Sequence, residues 1–240
     1  MAIGGVFTKA SASSGSLADS STMCLKVSVS HKVLLTTPVA MLYGWLSYFF
    51  APFLVVLIAS TRVSEELSTG SVRFALVRCG IIPWCLGKYV GQALILLPAL
   101  LIAALGAWVT AYFRLDLFEP GPAAVSLLGF GLKVWIYCLF YVGLALGMSQ
   151  LTRSSNAATA LCVVVMVGTT VIAGLAQWDR VRVGNWSLFW DALVLLVPQG
   201  HRLELWWPDP VHVVPAAVML FALGMLWLVI GHLVLRRRDW

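Results

Sequence analysis

The sequence predicts an all-α, polytopic membrane protein. Its five spanning helices form a bundle with a short amphipathic helix on one side and a re-entrant or interfacial helical segment on the other. Three observations lead there. Of the 240 residues, 60% are hydrophobic and 11% charged, against about 25% charged in an ordinary soluble domain, so a soluble core could not hide the apolar surface. Five runs reach the roughly 20 apolar residues that a helix needs to cross a bilayer. Tyr43, Trp45, Tyr89, Tyr112, Trp178 and Trp207 mark the ends of those runs, as interfacial aromatic belts do.

Taken in chain order, residues 1–37 form a polar, Ser-rich segment containing "SASSGSLADSSTM". The opening "MAIGGVF" is too short for the apolar region of a secretory signal and lacks a basic start. This segment is expected either to lie as an amphipathic piece at the membrane surface or to be the loop of a spanning helix that the chain lacks, with the second favoured. The spans are expected at about residues 38–60, 89–113, 125–150, 157–178 and 211–235. Pro52 and Pro98 fall inside two of them, where a kink is tolerated if neighbours satisfy the freed carbonyls. Between the last two spans, Trp186, Phe189, Trp190, Leu193 and Val194 make one helical stripe ending at Pro198. It is too short to cross and suits an interfacial or re-entrant helix.

Charge sets the orientation. If the connection over residues 60–88 is cytoplasmic, the turn at 152–156 and the tail "RRRDW" share its side. That side then holds Arg62, Arg73, Arg78, Lys88, Arg153, Arg236, Arg237 and Arg238, whereas the opposite loops hold Arg114, Arg180, Arg182 and Arg202. The bias predicts a cytoplasmic C-terminus. Lys9, Lys26 and Lys32 of the N-terminal segment weaken it, because an odd number of spans puts them outside. The net charge of +6 is read as this loop bias, since no basic stripe interleaved with aromatics points to nucleic acid.

Site chemistry is sparse. The five cysteines form no C-x-x-C pair and the four histidines no H-E-x-x-H, so neither metal nor cofactor is expected. No G-x-S-x-G turn supports a catalytic triad, and no G-x-x-x-x-G-K-[ST] encodes a nucleotide cradle. Lys133 is the one clear ion inside an apolar run. It marks a possible pathway, because intramembrane charge is costly, or it snorkels to the nearby outer boundary, the reading preferred here. Ser126, Thr110, Thr159, Thr169 and Thr170 suit helix packing. Gly143-x-x-x-Gly147 permits close helix approach and is weak support for a dimer face.

The connection "STRVSEELSTGSVRFALVRCGIIPWCLGK" holds six charges between two apolar runs. Arg62, Glu65 and Glu66 share one helical face, and Gly70 can end that helix in the left-handed conformation. "SVRFALVR" restarts as an amphipathic helix with Val72, Ala75, Leu76 and Cys79 on one face, until Gly80 and Pro83 break it.

This pattern resembles the cytoplasmic connection of permease subunits in ABC-2-type transporters: an acidic pair, a Gly followed by Ser or Thr, an apolar-basic helix, then Gly-Lys at the next span. Glu65, Glu66, Gly70, Ser71, Arg73, Gly87 and Lys88 carry the likeness. "SQLTRSSNAATAL" and "RRRDW" echo the family's turn after its fourth helix and its charged ending, so the resemblance covers about residues 41–240. It implies that residues 38–240 form a permease domain in the cell membrane. It further implies pairing of two permeases, and a separate ATPase subunit docked through Glu65, Glu66, Gly70, Ser71, Arg73 and Lys88. Two departures stand out. Five spans are counted where the family has six, the first being the one missing. Cys79-Gly80-Ile81-Ile82 also replaces the family's Pro-x-x-Arg. Two other readings are an intramembrane lipid-modifying enzyme using Asp116, Glu119, His201 and Glu204, and a non-transporting membrane assembly factor.

Overall fold

The computed structural model describes residues 19–115, 119–152, 154–182, 187–206 and 210–237, with the backbone alone over 19–38 and at scattered positions that include Arg73. Helices α1 (Asp19–Thr69), α3 (Ile81–Arg114), α4 (Pro120–Leu151), α5 (Ser155–Arg182) and α8 (Pro210–Arg236) build the bundle. Helix α2 (Val72–Cys79) joins α1 to α3. Helix α6 (Ser187–Leu196), a 3-10 turn (Pro198–His201) and α7 (Arg202–Trp206) lie between α5 and α8. Among the described residues, five stretches are long and apolar enough to cross a membrane: Val39–Glu66, Ile81–Arg114, Pro120–Leu151, Ser155–Ala176 and Val211–Arg236. The protein is therefore a multi-pass membrane protein.

Two spans are longer than the sequence suggests. Helix α3 starts at Ile81 rather than near Tyr89, because Pro83 stands in its first turn, where a missing N–H costs nothing. Helix α1 is continuous from Asp19, so the second half of the Ser-rich segment is helical and runs straight into the first span.

Helix α4 is the axis of the bundle, and every residue from Tyr141 to Gln150 is buried. The cause is small side chains. A Cβ placed on Gly143 would fall inside the Gly224 carbonyl of α8, and one on Gly147 inside the Trp227 carbonyl. On the facing helix, a Cβ on Gly231 would lie 2.7 Å from the Gly147 oxygen. Without a hydrophobic drive between helices in lipid, such close backbone contact supplies the attraction. Gly143-x-x-x-Gly147 is thus occupied within the chain against α8, which corrects its reading as a dimer face.

Polar side chains tie the remaining helices. Ser60 of α1 and Thr159 of α5 share a 2.8 Å hydrogen bond. The Tyr43 hydroxyl donates to the Leu100 carbonyl at 3.0 Å. The Trp135 indole donates to the Ala93 carbonyl at 2.8 Å, beside the Leu94 carbonyl that Pro98 deprives of its helical donor. By contrast, Phe49, Leu54, Val90, Ile95, Ile102, Val164 and Val218 are exposed, as lipid-facing side chains should be.

Candidate functional site

The charged connection is compact. Helix α1 ends at Thr69, and Gly70 follows with φ +72°, a left-handed turn that glycine adopts without strain. The Ser71 hydroxyl donates to the Glu66 carbonyl at 3.3 Å and lies 3.1 Å from the Thr69 hydroxyl, so the loose carbonyls of the helix end are capped. Glu66 is ion-paired with Lys88 of α3, each about one-third exposed. That pair staples the end of one span to the start of the next. At partial exposure it contributes under about 1 kcal/mol to stability, but it fixes geometry. Glu65 points outward and is exposed.

Helix α2 is held at one end. Val72 is fully buried, whereas Phe74 and Val77 are 79% and 88% exposed, and Arg78 and Cys79 are exposed beside them. The predicted apolar face therefore holds at Val72 but not at Cys79. The helix has only eight residues, about 12 Å at 1.5 Å per residue, and among its described side chains Val72 alone is buried. The sequence reading missed Phe74 and Val77. Their i, i+3 spacing beside Arg78 is the signal that could have found them. The Arg73 side chain lies outside the described residues.

The other predicted residues lie elsewhere. The Lys133 ammonium sits 5.7 Å from the centre of the Phe130 ring, turned back toward the N-terminal end of α4. His201 and Glu204 are joined at 3.2 Å, and the other His201 ring nitrogen lies 3.0 Å from the Leu195 carbonyl, so both ring nitrogens are engaged in holding the α6–α7 turn. Asp116 lies outside the described residues, and Glu119 immediately precedes α4. Among the described residues, no three His, Cys, Asp or Glu side chains converge as a metal site would need.

At the end of the bundle away from α2, the α6–α7 segment packs on the spans. Trp206 stacks on Tyr48 at 5.9 Å and meets Phe130 edge-on at 5.2 Å. Gln199 donates to the hydroxyls of Thr169 and Thr170 at 3.1 and 3.0 Å.

Five apolar spans, a stapled charged connection on one side and a short helical segment folded onto the other make a multi-pass helical membrane protein. A family model described as "ABC-2 family transporter protein" matches residues 2–178, and the chain belongs to that family. It is a membrane permease component of an ABC transporter. The match takes in the N-terminal segment, which the likeness read from the sequence left out. No match to a curated protein is found.

Proposed function

We propose that the chain is the membrane-spanning subunit of an ATP-driven transporter and receives force from a separate ATPase subunit through α2. It does so at the cell membrane, with α2 and the C-terminus in the cytoplasm and a second permease copy completing the translocation path. One observation carries this reading: a short surface helix, bracketed by two spans whose ends Glu66 and Lys88 join, presents Phe74 and Val77 to its surroundings. A surface helix tied to two rods moves both when pushed. An exposed aromatic knob on the same short helix as Arg78, with Glu65 also exposed at the end of α1, is the kind of anchor that fills a partner's pocket, with the charges setting orientation and encounter rate. Glu66 and Lys88 brace the lever, while Gly70 and Ser71 shape its hinge. Arg73 belongs to α2 as well.

Two measurements test the parts. In membranes carrying the chain with Cys24 replaced by Ser, the exposed Cys79 thiol should react with an impermeant maleimide only after permeabilisation, the other described thiols being buried. Labelling from outside in intact cells would reverse the orientation. Glu66→Lys should lower coupled transport several-fold while leaving the folded fraction unchanged, and the double exchange Glu66→Lys with Lys88→Glu should restore much of it. Equal loss in the double variant would argue against bracing by the pair.

A further inference from the structure

A cavity of about 320 Å³ opens between α1, α4, α5 and the 3-10 turn, lined by Tyr48, Tyr137, Tyr141, Thr170, Gln199 and Arg202, with Phe49 and Phe53 forming its outer wall. Its volume is at the lower end of the range of about 300–1,000 Å³ for ligand sites. Its polar groups are incompletely used. Tyr48 is 3% exposed, yet among the described residues its hydroxyl has no hydrogen-bond partner, and neither does the buried Oε1 of Gln199. The Gln199 amide group is held in place by the hydroxyls of Tyr141, Thr169 and Thr170, so its other end is fixed and left over. Buried polar atoms are rarely unpaired, because each costs the water it has lost. At this cavity the Tyr48 hydroxyl is a donor lacking an acceptor, and a ligand with an acceptor group would supply that missing bond.

The charge of that ligand follows from Arg202. Its guanidinium lies 5.5 Å from the centre of the Tyr48 ring, and among the described residues no carboxylate lines the cavity. The aromatic walls could otherwise attract a cation, but that role is already taken and a second cation would be repelled. An anion fits, held by the guanidinium and the Tyr48 hydroxyl. Phe49 and Phe53 are 64% and 40% exposed on the bundle's lipid side, so an acyl chain attached to the anion has an apolar track leading from the bilayer.

We infer that this cavity binds an amphiphile with an acidic headgroup, the headgroup on Arg202 and Tyr48 and the chain against Phe49 and Phe53. This goes beyond the permease reading and does not depend on ATPase coupling, so it is tested on the full-length chain alone.

The probe is radiolabelled laurate, added to the protein in phosphatidylcholine nanodiscs, with empty nanodiscs as background. Saturable binding above that background is expected. Arg202→Gln and Tyr48→Phe should each weaken it by about ten- to a hundredfold, the scale of one hydrogen bond to a charged group. Tyr48→Phe keeps the ring that packs on Tyr137 and Trp206, so its melting temperature should stay at the parent value and loss of binding is not loss of fold. Acetate should fail to displace laurate at equal concentration. Absence of saturable binding, binding unchanged in both variants, or displacement by acetate as readily as by laurate would each overturn the inference, the last by showing a site for small anions.

Discussion

Gly143→Leu is expected to abolish the folded bundle, leaving protein that inserts in the membrane but aggregates on extraction. Any Cβ at this position meets the backbone of Gly224, and backbone cannot rotate away as a side chain can. Gly143→Ala alone should cost about 1–3 kcal/mol, the usual range for forcing a methyl group into a close-packed site. It should lower the melting temperature measurably. Gly147→Ala should behave alike, since its neighbour is the Trp227 carbonyl. The control is Gly129→Ala on the same helix, where nothing lies within 4 Å of a new Cβ and the change should be under about 0.5 kcal/mol. If Gly143→Ala and Gly129→Ala melt together, α4 and α8 do not meet as described.

Phe74→Asp should separate assembly from folding. The side chain is largely exposed, so the isolated subunit should melt at the parent temperature. Association with its ATPase subunit should fall by roughly 30-fold or more, as expected when a central interface anchor is replaced by a charge that cannot be paired. Phe74→Leu should retain most of the affinity. The measurement is co-purification, followed by titration of the candidate ABC ATPase from the same genome onto nanodisc-held permease. Full association of the Asp variant would remove α2 as the docking element. It would leave Phe74 as a side chain that merely dips into the membrane surface.

The two predictions rest on features that were unequally visible beforehand. Five spans and the connection between the first two followed from composition and run length, because a bilayer demands about 20 apolar residues per helix whatever the partners are. Gly70 as a helix stop was also readable, since its conformational freedom is a local property. The role of Gly143-x-x-x-Gly147 was not. The spacing reports only that another helix can approach, and whether that helix is α8 or a second copy depends on the packing of the whole chain. For Glu66, the sequence showed a charge on a connection. Its partner Lys88 lies 22 residues away and was brought close by the turn at α2. Phe74 and Val77 went unnoticed because an eight-residue helix has too few positions to show which face it buries.

Sequence alone determined that this is a helical membrane protein, where its chain crosses the bilayer, and the charged connection that resembles an ABC-2 permease. Solvent quality and backbone chemistry act residue by residue, and so can be read in one dimension. Tertiary structure decided that α4 is the axis, that Glu66 staples Lys88, and that Tyr48, Gln199 and Arg202 meet around one cavity. Those outcomes depend on which close approaches the small residues of α4 permit, and such contacts join positions far apart in the chain.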